Sequence, residues 1–468
     1  MRRTALAVFA AALLTSRVSL AQPAVDPTAA LLQEIIRLDT SNPPGHEGLV
    51  DDLLASKLRP LGFEVTIVPT PEAGKSHLIA RLKGDGSKRP IVLAAHADVV
   101  GVERDKWTVD PFGGVIKDGH VYGRGAIDFK GGMAVFARAV MQLAERKVPL
   151  ARDVIFVVEA DEEAAQYNTS WLAQTHWAQM DAEFGLNEGG WIIADDGGKV
   201  RYVSVSTLDK SSVGTIVTAT GTSTHSSMPR EDNAIFTLSK ALAKLSAFEF
   251  PVELTEANRK FLAVLAKTSP QPLAGHYQTL LTSTDAAARA AADKAISQDP
   301  LMHAIIRTTI APVIVKGGFR SNVIPGSADA TINVRVVPGT DPNDVVKTLQ
   351  RVMDDPNVTV RLANPSQGPS KTPPSPEANE LYRALESQAH ASFPGADVTP
   401  YTFQAGTDAG AWRSRGVPMY GIYPYPSTAD ELTRMHGNDE KVSIESLRTG
   451  TEWVFNTLVQ VAGRKYDR

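Results

Sequence analysis

Residues 154–166 read VIFVVEADEEAAQ, in which five apolar residues lead through Glu159 and Ala160 to three consecutive acids. The apolar run is typical of a fully buried strand. Adjacent carboxylates repel each other unless a cation lies between them, and open α/β sheets bind ligands beyond the carboxyl ends of their strands. The stretch therefore indicates an α/β sheet with a cation site at this strand end, although a charged loop after a strand is the simpler alternative.

The same strand-and-helix pattern extends on both sides of this stretch. From Pro27 to about Ser206, apolar runs such as IVLAAHADV (91–99) alternate with helical patterns such as GGMAVFARAVMQLAERK (131–147). Continuous apolar strands that alternate with helices are typical of parallel strands with helices on both faces. We expect a three-layer α/β domain here.

A different order of elements follows over residues 207–364. The pattern reads strand, helix, strand, strand, helix, strand, which is the split ferredoxin-like α+β unit. Residues 250–311 interrupt it and look helical. After the Pro/Ser-rich segment ANPSQGPSKTPPSPEA (363–378), the α/β pattern resumes. We therefore predict a discontinuous α/β domain (22–206 and 365–468) with the smaller α+β domain (207–364) inserted.

The N-terminus reads as a secretory signal peptide. Residues 1–21 combine an early pair of arginines, an apolar run and a small-x-small cleavage site. The run is about half of the ~20 residues that a membrane span needs, so we predict an exported protein, periplasmic or secreted, with no membrane span. The net charge of −4 gives no basic footprint for nucleic acid. Because the chain has no Cys, a metal site must use His and carboxylates.

Five such side chains fall at predicted loop positions, mostly at strand ends: His96, Asp128, Glu163, Glu188 and His436. Each alone also fits a structural role, such as a buried histidine, a helix cap or a loop acid. Together, two imidazoles and three carboxylates form a ligand set for two divalent ions with one bridging carboxylate, a mixture that zinc accepts. Asp98 shares a strand face with His96 and could orient its ring.

The motifs along the chain resemble the dinuclear zinc aminoacylase/carboxypeptidase family, which includes carboxypeptidase G, succinyl-diaminopimelate desuccinylase and aminoacylase-1. They are HADVV (96–100), YGRGAIDFKGG (122–132), ADEEA (160–164), NEGG (187–190), HSSMPREDNA (225–234), NVIP (322–325), RVVPG (335–339), GTDAG (406–410) and MHGNDE (435–440). The segment 305–339 and the helical interruption resemble the branch of Gly-Xaa carboxypeptidases and secreted N-acyl amino acid hydrolases.

The resemblance implies an assignment for each metal ligand. His96 and Glu188 would hold one Zn²⁺ and Glu163 and His436 the other, with Asp128 as the bridge. Co²⁺ or Mn²⁺ could replace zinc. A cis peptide would follow Asp128.

The resemblance also implies the catalytic and substrate-binding residues. Glu162 would be the general base and acid for a metal-bridging hydroxide, supported by Asp98 behind His96. His225 would stabilise the oxyanion. Asn322, Arg335 and the backbone at Gly406 would bind a substrate carboxylate. The inserted domain would act as a lid or dimerisation domain.

The expected activity is hydrolysis of the amide bond in N-acyl amino acids or dipeptides that carry a free carboxylate. Two alternatives are a non-catalytic periplasmic amino-acid- or peptide-binding module with the same fold and a dinuclear phosphoesterase. Glu162 argues against the first, since a binding module does not need a base. The second lacks phosphate-cradling loops. Both a monomer and a homodimer, with His225 acting on its own or its partner's site, stay open. The loop AAQYN (164–168) departs from the common Gly-rich pattern of relatives, so it bears on substrate preference.

Overall fold

The computed structural model describes residues 25–164, 166–370 and 372–464. The predicted signal peptide, residues 1–21, lies outside the described residues. In the described part of the chain, helices are all too short or too polar to span a bilayer.

The helices alternate with strands for most of the chain. They are α1 (Pro27–Ile36), α2 (Gly48–Leu58), α3 (Lys130–Glu145), α4 (Thr169–Met180), α5 (Ala234–Ser246), α6 (Glu256–Thr268), α7 (Leu273–Thr282), α8 (Ala286–Ile296), α9 (Pro300–Ile305), α10 (Pro342–Met353), α11 (Glu380–Ser392), α12 (Gly410–Arg413), α13 (Ala429–Leu432) and α14 (Ile444–Ala462). Short 3₁₀ turns cover Arg59–Leu61 and Arg104–Lys106.

The strands form four sheets. They are β1 (Glu64–Pro69), β2 (Ser76–Leu82), β3 (Ile91–His96), β4 (Val115–Lys117), β5 (His120–Tyr122), β6 (Val154–Glu159), β7 (Phe184–Asn187), β8 (Ile192–Ala194), β9 (Val200–Asp209), β10 (Ser211–Thr220), β11 (Thr224–His225), β12 (Thr309–Gly317), β13 (Val323–Ile324), β14 (Ser327–Val336), β15 (Val358–Leu362), β16 (Asp397–Phe403), β17 (Met419–Gly421), β18 (Pro426–Ser427) and β19 (Lys441–Ser443).

The large sheet has ten strands in the order β1-β2-β6-β3-β7-β17-β9-β8-β18, with β16 paired to β9. Its centre is parallel, because β3 pairs with both β6 and β7, and β17 pairs with β7, in the same direction. Parallel strands end at the same edge, so the carboxyl ends of β3, β6 and β7 meet there. This edge carries the acids of the ADEEA motif.

Successive residues of β3 face opposite layers of helices. Leu93 and Ala95 pack in one core with Phe136 of α3. Val92 packs in a second core with Leu172 of α4. Side chains of a strand alternate between the two faces of its sheet, so a strand that is apolar throughout requires cover on both. The predicted three-layer α/β arrangement is confirmed.

The predicted ferredoxin-like unit is also present. Its elements follow in the order β10, α5, β12, β14, α10 and β15, and its antiparallel sheet has the order β12-β14-β10-β15. Val217 and Ile332 of this sheet pack on Leu238 of α5 and Leu349 of α10. Four helices, α6 to α9, lie between α5 and β12, where the sequence predicts a helical interruption. The exact domain boundaries stay a prediction.

Candidate metal centre and active site

The topology of the large sheet delivers the acids and one imidazole to a single place. His96 is the last residue of β3, and Glu188 directly follows β7. Glu162 and Glu163 come shortly after the end of β6. Since these three strands are parallel neighbours, their carboxyl ends form one crevice. Asp128 reaches the crevice from the loop before α3, and His436 from the loop between α13 and β19.

Asp128 lies between two clusters and presents one oxygen to each. Its Oδ1 lies 3.5 Å from Nε2 of His96, which is also 3.5 Å from Oε2 of Glu188. Its Oδ2 lies 2.9 Å from Nε2 of His436, which is also 3.1 Å from Oε1 of Glu163. The peptide bond Asp128–Phe129 is cis, as the sequence predicts. The five residues predicted as ligands therefore lie together, with Asp128 central.

The donor set fits divalent ions rather than ion pairs alone. Ligands about 2.1 Å from a tetrahedral zinc are roughly 3.4 Å from one another, close to the separations observed here. Oε1 of Glu163 is buried and has no aligned hydrogen-bond donor in the described residues, although Nε2 of His436 lies nearby. Imidazole and carboxylate groups at these separations are the donor types that zinc takes in proteins. The residues present therefore fit a pair of metal ions.

The electrostatics of the crevice show an excess of negative charge. Close contact with the carboxylate of Asp128, then with that of Glu163, raises the pKa of His436 to about 10. Burial, then the charge of Asp128, raises the pKa of Glu188 to about 8. Protein atoms alone thus retain protons that cations would displace. No lysine or arginine in the part of the chain that the structure describes forms a salt bridge with one of these five residues.

His436 is held in an uncommon backbone conformation. Its φ is +58°, a left-handed value that only a few per cent of non-glycine residues adopt. Its backbone carbonyl accepts a 3.2 Å hydrogen bond from Nη2 of the buried Arg124. Such a conformation persists where the surroundings enforce it, often at functional sites. The imidazole is thereby turned toward Asp128.

Asp98 contacts the site differently from the prediction. Nδ1 of His96 lies 2.9 Å from the backbone carbonyl of Asp98 and 3.6 Å from its Oδ1. The Asp98 carboxylate instead accepts the backbone N–H groups of Glu162 (3.2 Å) and Glu163 (3.1 Å). Asp98 thus contacts His96 through its main chain. Its side chain holds the loop that carries Glu162 and Glu163, which we call the acid loop.

A cavity of about 530 Å³ opens over the two clusters. Glu162, Arg335 and Gly406 line it together with four of the five candidate ligands. A Cβ atom on Gly406 would lie 3.7 Å from Nη1 of Arg335, so backbone and guanidinium face the same space. Burial, then the charge of Glu188, raises the pKa of Glu162 well above its usual value. The carboxyl group of Glu162 and the guanidinium of Arg335 therefore line the same cavity.

His225 and Asn322 lie together, but outside this cavity. His225 on β11 pairs with Val323 on β13, and the N–H of Ser226 donates to the carbonyl of Asn322 at 3.0 Å. Both residues are exposed, and neither lines the cavity. The two predicted lid residues thus share one surface away from the acids of their own chain.

Three further residues of the site escaped the sequence analysis. The hydroxyl of buried Tyr423 lies 2.9 Å from Oδ1 of Asp128 and 3.1 Å from Oε2 of Glu188. Buried Glu440 accepts the backbone N–H groups of Ile127 (2.7 Å) and Asp128 (3.1 Å) and pairs with Arg124 at 2.7 Å. Tyr423 follows the short strand β17, so a strand-end signal existed. Arg124 and Glu440 lie within the quoted motifs, but no further pattern in the sequence indicates a role for either of them.

Comparisons with known proteins indicate the family and the fold. The sequence profile of Peptidase family M20/M25/M40 matches residues 92–460. The chain is 29% identical over 390 residues to the N-fatty-acyl-amino acid synthase/hydrolase PM20D1 of Homo sapiens, covering 82% of this chain and 76% of that protein. It is 29% identical over 389 residues to the probable carboxypeptidase S-like 2 of Dictyostelium discoideum, covering 81% and 73%. Among solved structures, the M20 family metallo-carboxypeptidase Sso-CP2 from Sulfolobus solfataricus superposes with a TM-score of 0.69 at 17% identity, covering 93% of this chain and all of that one.

Proposed function

The chain belongs to Peptidase family M20/M25/M40, and we propose that it is a dinuclear zinc hydrolase that cleaves the amide bond of N-acyl amino acids or dipeptides with a free carboxylate. The observation that carries this proposal is the cavity that Glu162 and Arg335 share above the two clusters joined by Asp128. Co²⁺ or Mn²⁺ would substitute for zinc. Export through residues 1–21 is part of the same proposal.

In this proposal His96 and Glu188 hold one ion, Glu163 and His436 hold the other, and Asp128 bridges them. When bound, such ions lower the pKa of water and polarise a carbonyl. Tyr423 donates a hydrogen bond to either Asp128 or Glu188 and thereby fixes the orientation of the carboxylate that it contacts. Residues that hydrogen-bond to metal ligands commonly orient those ligands in this way.

Glu162 moves the proton. Its carboxylate lines the cavity, and burial raises its pKa well above its usual value. One of its oxygens lies within 4.8 Å of ligand atoms of His96 and Glu188, but the proposal assigns the ions to the other five residues and leaves Glu162 to handle protons. It takes a proton from the attacking water and returns it to the leaving nitrogen, as a general base and then a general acid. A carboxyl group with a raised pKa holds a proton more readily, which suits the return of that proton to the leaving nitrogen.

Arg335 supplies the recognition of the substrate carboxylate. Arg335 lies on β14 of the α+β unit, and its guanidinium faces the cavity beside the backbone of Gly406. A planar guanidinium can pair with both oxygens of a carboxylate, which places the scissile amide over Glu162. Residues 207–364 would act as a lid that closes over the bound substrate.

We also propose that the active form is a homodimer in which the partner completes each site. His225 and Asn322 are exposed and outside their own cavity. β12 forms the edge of the four-stranded sheet and carries exposed apolar side chains, Val313 (58%), Val315 (62%) and, just beyond it, Phe319 (77%). An exposed apolar edge strand is a ready site for pairing with a second copy. That pairing would bring His225 of the partner subunit toward the cavity.

Mixing two inactive variants tests the dimer. Glu162→Gln lacks the base but keeps His225, and His225→Ala keeps the base. In hybrids, one site combines an intact Glu162 with an intact His225 from the other chain. Activity that reappears on mixing and refolding supports completion in trans, whereas a mixture as inactive as its parts contradicts it.

The activity itself is tested with purified, zinc-loaded protein and a panel of N-acyl amino acids and dipeptides. Hydrolysis that chelation abolishes and zinc restores supports the proposal. Tight binding of these compounds without turnover would instead support the binding-module alternative.

A further inference from the structure

A third cluster of carboxylates lies behind the acid loop. It contains Glu47, Asp98 and Asp161, all buried, with oxygens within 4.8 Å of one another. Unlike the two clusters at the crevice, this one contains a lysine. Nζ of Lys75, with a side chain 4% exposed, lies 2.6 Å from Oδ1 of Asp161. The ammonium group supplies a positive charge inside this cluster. We therefore interpret the cluster as structural and not as a metal site.

Asn42 connects two members of this cluster. Its Nδ2 donates to Oδ2 of Asp98 and to Oδ1 of Asp161, both at 2.8 Å. Two neighbouring carboxylates repel each other, and an amide with two hydrogens bonded to both offsets that repulsion. Asn42 is itself buried, so water does not compete for these bonds. Lys75, Asp161, Asn42 and Asp98 thus form one continuous polar chain.

This chain of polar side chains ends at the backbone of the acid loop. Asp98 accepts the N–H groups of Glu162 (3.2 Å) and Glu163 (3.1 Å). Asp161, with a φ of +65°, accepts the N–H of Tyr167 at 2.6 Å and so closes the loop from its other side. The orientation of Glu162 therefore depends on two carboxylates that Asn42 and Lys75 hold in place.

His77 forms two further hydrogen bonds with the same loop. Its Nδ1 accepts the N–H of Ala160 at 3.1 Å, so its Nε2 carries the hydrogen and donates to the carbonyl of Tyr167 at 2.8 Å. Burial lowers the pKa of His77 to about 4, which keeps this neutral tautomer at ordinary pH. The two ends of the loop are joined through side chains that do not reach the cavity.

We propose that Asn42 and Lys75 are positioning residues for the general base: by holding Asp98 and Asp161 together they fix the backbone of Glu162 and so set the turnover rate. The role of Glu162 rests on the proposed function, whereas the clamp itself rests on the contacts above. Glu163 shares the clamp, but bound metal would hold its side chain independently. Loosening the clamp should therefore affect turnover more than metal binding.

The test compares the full-length, zinc-loaded protein with its Asn42→Ala and Lys75→Met variants. Amide hydrogen exchange over residues 160–168 should accelerate at least about tenfold, which corresponds to about 1.4 kcal/mol, because hydrogen bonds that hold the loop are lost. We expect kcat to fall between about tenfold and a hundredfold, since small misplacements of a catalytic group cost that much. KM should stay within about twofold and zinc content at about two per chain. Lys75→Arg, which keeps the charge, should recover part of kcat.

Lys57→Met is the matched control, because Lys57 forms a more exposed salt bridge with Glu34 and lies away from the loop. Unchanged exchange and kcat in Asn42→Ala would overturn the proposal, and so would a fall in kcat that follows zinc loss. If Asn42→Ala does not fold, Lys75→Gln decides by the same criteria. Faster exchange without any zinc-dependent hydrolysis in the wild type would instead retain the clamp and reject the proposed function.

Discussion

Oδ2 of Asp128 lies 2.9 Å from Nε2 of His436, although one residue lies in the loop before α3 and the other in the loop between α13 and β19. The other oxygen, Oδ1, faces His96. A carboxylate that presents its two oxygens to two imidazoles is placed to bridge two ions.

Replacement of Glu162 with Gln should separate metal binding from catalysis. The amide has the same shape but cannot accept the proton of the attacking water, so kcat should fall by at least about a hundredfold. Zinc content should stay unchanged, because Glu162 is not a proposed ligand. Steady-state kinetics and elemental analysis of the same preparation check both. Glu256→Gln, at a side chain 85% exposed, is the control and should behave as wild type. Near-normal turnover in Glu162→Gln would exclude this residue as the base.

Replacement of His436 with Ala should remove one ion and leave the other. His436 contacts only Asp128 and Glu163 of the candidate ligands, whereas His96 contacts Asp128 and Glu188. We expect the zinc content to fall from about two per chain to about one. Equilibrium dialysis followed by elemental analysis measures this change. Loss of both ions, or of neither, would argue against two separable sites.

Replacement of Arg335 with Ala should weaken substrate binding through the carboxylate. Hydrogen bonds to charged groups are worth roughly 1.5–3 kcal/mol, so KM should rise about tenfold to a hundredfold. The matched control is a substrate whose carboxylate is amidated, for which wild type and variant should have similar kcat/KM. An equal loss on both substrates would show that Arg335 acts on the fold and not on the carboxylate.

Lys210 should make the stability depend on pH in the alkaline range. Its Nζ donates to the backbone carbonyls of Ala304 and Arg307, and burial, then the charge of Arg335, lowers its pKa to about 7. An unfolded lysine titrates near ~10.4. Between about pH 7 and 10 the unfolded chain binds a proton that the folded chain lacks, so the free energy of unfolding should rise with pH.

Urea unfolding of wild type and Lys210→Met from pH 7 to 10 checks this effect. The difference between the two proteins should change with pH by at most about 1.4 kcal/mol per unit. Lys240→Met, at an exposed position of α5, should give a constant difference. A constant difference for Lys210→Met would show that this lysine stays charged in the folded protein.

The residues at strand ends could be predicted because one strong signal places them. An apolar strand followed by an acid or a histidine, as at His96, Glu163 and Glu188, predicts both the sheet and the edge at which it binds ligands. Asn42 and Glu440 carry no such signal, because they act through hydrogen bonds to residues distant in sequence. Their roles emerge only once the chain has folded.

The residues predicted to bind substrate from the inserted α+β domain show a second limit of prediction from sequence. Arg335 faces the cavity as expected, whereas His225 and Asn322 lie on another surface. A strand pattern predicts which residues belong to the α+β unit but not how that unit is oriented over the crevice. The relation of a lid to its site depends on the contacts between two cores and on any partner chain, and neither is encoded in a local pattern.

Anomalous diffraction at the zinc absorption edge, from crystals of the zinc-loaded protein, tests the central claim most directly. We predict two peaks on either side of Asp128, one beside His96 and Glu188 and the other beside Glu163 and His436. A single peak, or peaks that Asp128 does not contact, in protein that hydrolyses its substrates at full rate would contradict the bridged two-metal centre.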